Sequence, residues 1–202
     1  MKNVGVDESI AVKTLLDGGV VAFPTETVMG LGVIYDNYEA YQKLNVIKGR
    51  PEDKPYTMML GDIKDIEEYA YLTDRDKKII KEFMPGPLTV LLKAKDTVPG
   101  YVTHNTGVIG IRVPDFKILL NLLKNVKKPL LVPSANPSGK APAINVSQVL
   151  VYFGETLNYI YAYDALGAKP STVLDLTGVS LKIVREGDLT LSNILNTVKE
   201  TK

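Results

Sequence analysis

Apolar positions recur at helical spacing at the start of the chain and then give way to short unbroken runs. Ile10, Ala11, Val12, Leu15 and Leu16 give residues 7–17 one greasy face, and Gly18-Gly19 supplies a stop. Residues 20–23, all apolar and set between glycine and Pro24, predict a buried strand. A loop rich in hydroxyls and glycine follows from Pro24 to Gly32, and Val33-Ile34 resumes a strand. Residues 37–47 return to helical spacing through Ala40, Tyr41, Leu44 and Ile47, until Lys48-Gly49-Arg50-Pro51 breaks the pattern. Further strands are predicted at 56–60, 88–93, 108–113, 130–132, 172–175 and 181–185. Helices are predicted at 62–71, 73–84, 116–123, 145–153 and 191–198. Short apolar strands interleaved with helices indicate a layered α/β or α+β domain. No repeat and no low-complexity linker interrupts it, so one domain over 1–202 is expected.

Composition narrows the chemistry. The 202 residues are 45% hydrophobic and 23% charged, and 24 Lys+Arg against 23 Asp+Glu leave a net charge of +1. That balance makes no whole-chain case for nucleic acid or an anionic membrane. There is no cysteine, which removes disulfides, thiolate metal sites and a cysteine nucleophile, and fits a cytoplasmic location. The N-terminus lacks an apolar signal core, and no stretch reaches 18 apolar residues. The single histidine, His104, lies in a turn-rich stretch and reads as a solvated loop residue rather than a catalytic one. There is no Walker A loop, and Gly30-Leu31-Gly32 lacks the third glycine of a dinucleotide fingerprint.

Four polar features remain. Lys48 and Arg50 flank a glycine at a helix end, where they either complement the helix dipole or clamp a phosphate. Ser134-Ala135-Asn136 follows a strand directly, as an ordinary turn or as a ligand-binding strand end. Thr25-Glu26-Thr27 does the same, offering hydroxyls to a small polar molecule and a carboxylate to an ammonium. Arg112 interrupts an apolar strand and must be paired or face a polar cavity, and Arg185 ends another strand. Together they describe a pocket for a polyanion and a polar small molecule.

The same residues carry a family resemblance. VVAFPTETVMGLG (20–32), IKGRPEDKP (47–55), MPGPLTVLLK (84–93), GIRVPD (110–115), LLVPSANPSGKAP (130–142), PSTVLDL (170–176) and IVREG (183–187) resemble, in order, the motifs of the YrdC-like family. The resemblance implies a twisted, open mixed sheet with flanking helices and a large concave pocket, in the family's short single-domain form. It implies a threonylcarbamoyl-AMP synthase acting on L-threonine, bicarbonate and ATP for the N6-threonylcarbamoyladenosine modification of tRNA. By the same resemblance Lys48 and Arg50 carry catalysis, and Lys48, Arg50, Lys54, Ser134, Asn136 and Arg185 hold ATP. Thr25, Thr27, Met59, Arg112 and Ser171 hold threonine. Mg2+ accompanies ATP, its ligands coming mostly from the substrate phosphates. Met29 stands where many members have tyrosine, and Met59 where some have histidine or a branched aliphatic residue. The product is implied to pass to a separate threonylcarbamoyl-transferase complex. The alternative is a non-catalytic module of the same fold that binds double-stranded RNA or tRNA through phosphate contacts.

Overall fold

The computed structural model describes residues 3–49, 55–167 and 169–199. The strands are β1 (Val4–Gly5), β2 (Val21–Phe23), β3 (Gly30–Ile34), β4 (Thr57–Met59), β5 (Leu88–Lys93), β6 (Val108–Arg112), β7 (Leu130–Val132), β8 (Tyr159–Tyr161), β9 (Thr172–Asp175) and β10 (Lys182–Arg185). The helices are α1 (Glu8–Leu16), α2 (Tyr38–Lys48), α3 (Ile66–Tyr69), α4 (Asp74–Phe83), α5 (Gly100–Thr103), α6 (Lys117–Val126), α7 (Val146–Phe153) and α8 (Leu191–Lys199). All ten strands join one mixed sheet in the order β1-β8-β2-β3-β7-β4-β6-β5-β9-β10. The expected α/β class and twisted open sheet with flanking helices are therefore what the chain forms.

Local chemistry sets the helix ends. Asn37 caps α2 through the Ala40 N–H, and Gly49 closes it at φ 54° in the left-handed region. Thr73 and Asp76 exchange reciprocal bonds in a capping box that starts α4. Four expectations are corrected. The helix expected over 62–71 is a 3-10 turn at Ile63–Asp65 followed by the single turn α3, because Asp62 caps the first and Ala70 turns extended. The loop expected from Pro24 to Gly32 ends earlier, since β3 begins at Gly30. Residues 159–161, not anticipated as a strand, lie parallel to both β1 and β2. His104 is not a solvated loop residue: it ends α5 in the left-handed region, half-buried, and its Nε2 lies 3.1 Å from the Tyr41 hydroxyl.

Alternation along β2 shows how the sheet's two faces are used. Val20 and Ala22 point into a core with Ala40, Leu44, Ile66, Ile79, Val149 and Ile194, so α2, α3, α4, α7 and α8 cover that face. Val21 and Phe23 point to the other face, against Ala11 and Leu15 of α1 and Leu119, Leu122 and Val126 of α6. This second cluster reaches Met59 and Val132 and goes no further across the sheet. Beyond it, Thr57, Leu91 and Val173 are only half-buried. The uncovered half of that face is the floor of a cleft.

Candidate functional site

Strand register lays out the floor. Met59 pairs with Arg112 across β4 and β6. One step beyond the Val90–Ile111 pair, Arg112 falls opposite Thr89, and Thr89 pairs with Val173 across β5 and β9. Val173 in turn pairs with Arg185 across β9 and β10. Met59, Arg112, Thr89, Val173 and Arg185 thus form one row across five strands, and all five line the cleft. Three strand steps of ~4.8 Å set the Arg112 and Arg185 backbones about 14 Å apart. Arg185 reaches this face through a register shift. Leu174 pairs with Ile183, but Val173 pairs with Arg185, so a bulge at Val184 moves the arginine from the core side to the cleft side. Gly110 leaves the neighbouring row without a side chain. The cleft offers about 210 Å³ to water-sized molecules.

Two loops form the rim, and antiparallel pairing of β3 with β7 brings them together. Leu31 N–H donates to Pro133 O, Ala135 N–H to Met29 O, and Met29 N–H to Ala143 O. The Thr25–Met29 and Ser134–Asn136 segments, far apart in sequence, therefore run side by side. Thr25 is 2% exposed and satisfies its own loop: its hydroxyl donates to Val28 O at 2.7 Å and accepts from the N–H groups of Thr27 and Val28. Its proton being committed, the 2.8 Å contact with Thr27 Oγ1 runs from the Thr27 hydroxyl to Thr25.

That polarity leaves Thr27 Oγ1 as an acceptor, and Arg112 uses it. Arg112 Nη1 and Nη2 each donate to Thr27 Oγ1 at 3.1 Å, Nε donates to Gly86 O at 3.1 Å, and Nη2 meets Glu26 Oε1 at 2.8 Å. Four of the five guanidinium N–H groups are accounted for, and the remaining one is on Nη1. Glu26 Oε1 also accepts the Asp115 N–H at 2.9 Å, while Glu26 Oε2 is buried without a hydrogen-bond partner among the described residues. The buried cation that the sequence demanded be paired is thus paired from behind, with its other side on the cleft.

At the far end of the row, Arg185 Nε and Nη2 donate to Ser171 O at 3.0 and 2.8 Å, and Nη2 also donates to Ser171 Oγ at 3.1 Å. Ser171 Oγ lies 2.8 Å from Thr89 Oγ1. Thr25, Thr27, Met59, Arg112, Ser134, Ser171 and Arg185 all line the cleft, as does Met29.

Lys48 and Asn136 stand behind the rim. Lys48 is 2% exposed, and its Nζ donates to Ser134 O at 2.7 Å, Asn136 O at 2.5 Å and Asn136 Oδ1 at 3.2 Å. Ser134 Oγ donates to Asn136 Oδ1, and Asn136 Nδ2 donates to Pro137 O and Lys140 O. The ammonium thus fastens the end of α2 to the 134–136 turn. Arg50 and Lys54 lie outside the described residues. Among the described residues no three His, Cys, Asp or Glu side chains converge as a metal site. No helix is long and apolar enough to cross a membrane among them. Thr89 is the residue that motif reading missed. Its signal was present in the alternation of residues 88–93, where Thr89 and Leu91 face away from core Leu88, Val90 and Leu92.

Comparison with known proteins places this cleft in a context. The profile of the Sua5/YciO/YrdC family, described as telomere recombination, matches residues 13–187. A threonylcarbamoyl-AMP synthase from Pyrococcus abyssi is 32% identical over 195 residues, which are 96% of this chain and 57% of that protein. A putative threonylcarbamoyl-AMP synthase from Methanocaldococcus jannaschii is 34% identical over 90% of this chain and 86% of its own length. The crystal structure of P. abyssi Sua5 complexed with L-threonine superposes with a TM-score of 0.91 at 32% identity, over 96% of this chain and 57% of that one. The chain therefore spans little more than half the length of its P. abyssi relative. With a profile match over most of its length and a shared fold, the chain belongs to the Sua5/YciO/YrdC family.

Proposed function

We propose that this chain is an L-threonylcarbamoyladenylate synthase, forming threonylcarbamoyl-AMP and pyrophosphate from L-threonine, bicarbonate and ATP. The observation that carries the reading is the single row holding two arginines, their backbones about 14 Å apart, on an open cleft floor. An α-amino acid joined to a nucleotide through a one-carbon bridge presents a carboxylate at one end and a phosphate at the other. The threonine-bound P. abyssi structure and the names of the relatives support the same assignment.

In this reading Arg112 receives the threonine carboxylate through its forward Nη1 edge, while Glu26 and Thr27 hold the guanidinium plane. The amine and bicarbonate condense to the N-carboxylate with loss of water. A carbamate oxygen then attacks the α-phosphorus, the bond to the β-phosphate oxygen breaks, and pyrophosphate leaves. No covalent enzyme intermediate is required, so catalysis reduces to positioning and charge neutralisation. Arg185 faces the phosphate, with Ser134 on the rim and Lys48 fixing that rim from behind. By family resemblance Arg50 and Lys54 add charge around the phosphates. Mg2+ would be carried on the ATP phosphate oxygens. The reactive product would pass in the cytoplasm to a threonylcarbamoyl-transferase complex acting on tRNA.

The test is pyrophosphate release from purified protein with ATP and Mg2+. Release should require L-threonine and bicarbonate together, and Arg112→Leu should abolish this threonine-dependent release. Release that ignores threonine, or none while RNA is bound tightly, would contradict the reading and favour an RNA-binding module.

A further inference from the structure

Between the two arginines lies a hydroxyl pair with one proton to spare. Thr89 is 2% exposed and Ser171 is 3% exposed, and both line the cleft. Their oxygens are 2.8 Å apart, and either can be the donor. Ser171 Oγ also accepts from Arg185 Nη2. The pair owns two hydroxyl protons and spends one on the bond between its members. The hydroxyls of Thr89 and Ser171 make no further donated bond among the described residues. Whichever residue donates to the other, one proton is left without an acceptor among the described residues, on a hydroxyl that lines the cleft. A buried hydroxyl donor without an acceptor is costly, and such groups in a ligand site are normally completed by the ligand.

Position says which part of the ligand completes it. Thr89 sits directly opposite Arg112 in the row, one strand step away, with Val173 and then Arg185 beyond it. In the proposed reaction the carboxylate is anchored at Arg112 and the phosphate at Arg185. The group between them is the carbon that bicarbonate supplies. We propose that the Thr89–Ser171 hydroxyl pair is the subsite for the oxygens of that one-carbon unit, first as bicarbonate and then as the N-carboxylate of threonine. Thr89 is thereby a substrate-binding residue.

The geometry also explains the pair's composition. A lone hydroxyl facing Arg185 would hold its ligand loosely, whereas Arg185 donating to Ser171 Oγ polarises that hydroxyl toward a negatively charged oxygen. In the next row Gly110 carries no side chain, and Thr57 and Leu91 line the cleft on either side of it.

This inference rests on the synthase reading, and the experiment separates the two. Wild type, Thr89→Val, Thr89→Ala and Thr89→Ser are compared in pyrophosphate release while bicarbonate is titrated at saturating threonine and ATP. L-threonine and ATP affinities are measured separately by calorimetry without bicarbonate. Thr89→Val should raise the KM for bicarbonate by roughly 10- to 100-fold, the effect of losing one hydrogen bond to a charged group. Threonine and ATP affinities should stay within about twofold of wild type, and Thr89→Ser should recover most of the bicarbonate KM. Thr89→Ala gives the same answer where the added methyl of valine perturbs folding. An active wild type with an unchanged bicarbonate KM in Thr89→Val and Thr89→Ala overturns the subsite and leaves the synthase reading standing. So does a KM that rises while threonine affinity falls in proportion. A wild type that releases no pyrophosphate overturns both.

Discussion

Glu26→Gln isolates the charge that sits behind Arg112. The two side chains are 13% and 4% exposed, so the ion pair is largely desolvated. Glutamine keeps an oxygen for the Asp115 N–H and for one guanidinium N–H, so shape survives while the negative charge is lost. Breaking a buried pair by removing one partner costs about 3–5 kcal/mol. The retained hydrogen bonds argue for the lower end, about 3 kcal/mol. At about 2–4 °C per kcal/mol for a domain of this size, Tm should fall by roughly 6–12 °C. The orphaned guanidinium then needs an anion, and the carboxylate of the proposed substrate is one. Saturating L-threonine should therefore raise Tm more in Glu26→Gln than in wild type, and L-threonine methyl ester, lacking the carboxylate, should not. Scanning calorimetry with and without each ligand reads both effects. A variant melting within about 2 °C of wild type, or a methyl ester as effective as threonine, would refute the assignment of Arg112 as a charge-balanced carboxylate site.

Three further outcomes concern other parts of the molecule. Lys48→Met removes the donor shared by Ser134 O, Asn136 O and Asn136 Oδ1, and should lower stability in urea by about 3 kcal/mol together with ATP affinity. An unchanged urea midpoint with lost ATP binding would instead assign the ammonium to the nucleotide directly. Gly187→Ala would drive a methyl to 2.4 Å from Pro170 O and 2.6 Å from Thr172 N, so the Ser171 strand must shift and ATP affinity should fall at least tenfold in calorimetry. Burial pushes the Tyr101 and Tyr161 phenols up to about 12 from 10.0, so stability should be full below pH 10 and decline as pH rises from 10 to 12. Urea midpoints paired with phenolate absorbance across that range check it, and a decline beginning well below pH 9 would contradict it.

The amino-acid pattern is most legible where the determinants are local. The apolar runs at 88–93, 130–132 and 172–175 are strands within those bounds, because each is short, β-branched or leucine-rich, and bounded by turn residues. β8 is only three residues long; Tyr159-Ile160-Tyr161 has strand-forming composition, but so short a run gives no alternation to read, and its pairing with β1 and β2 makes it a strand. At the site, residue types and strand ends pointed to Thr25, Thr27, Arg112, Ser134 and Arg185, and the family resemblance to Ser171; all six line the cleft. For three features the pattern did not give the role, each for a physical reason. Strict alternation puts Arg185 on the core side with Ile183, and only the bulge against Val173 brings it to the cleft. Lys48 reads as a surface helix-end cation, yet the 134–136 turn folds over it and buries it to 2%. Thr89 becomes chemically pointed only when β6 and β9 flank it with Arg112 on one side and the Ser171 hydroxyl on the other.

The most direct measurement uses 13C-labelled bicarbonate with L-threonine, ATP and Mg2+, followed by mass spectrometry of the adenylate formed. A single product carrying threonine, AMP and one labelled carbon, absent from Arg112→Leu, is the result expected of a threonylcarbamoyl-AMP synthase built on this cleft. An adenylate without the label, or labelled product formed equally well from other amino acids, would contradict it.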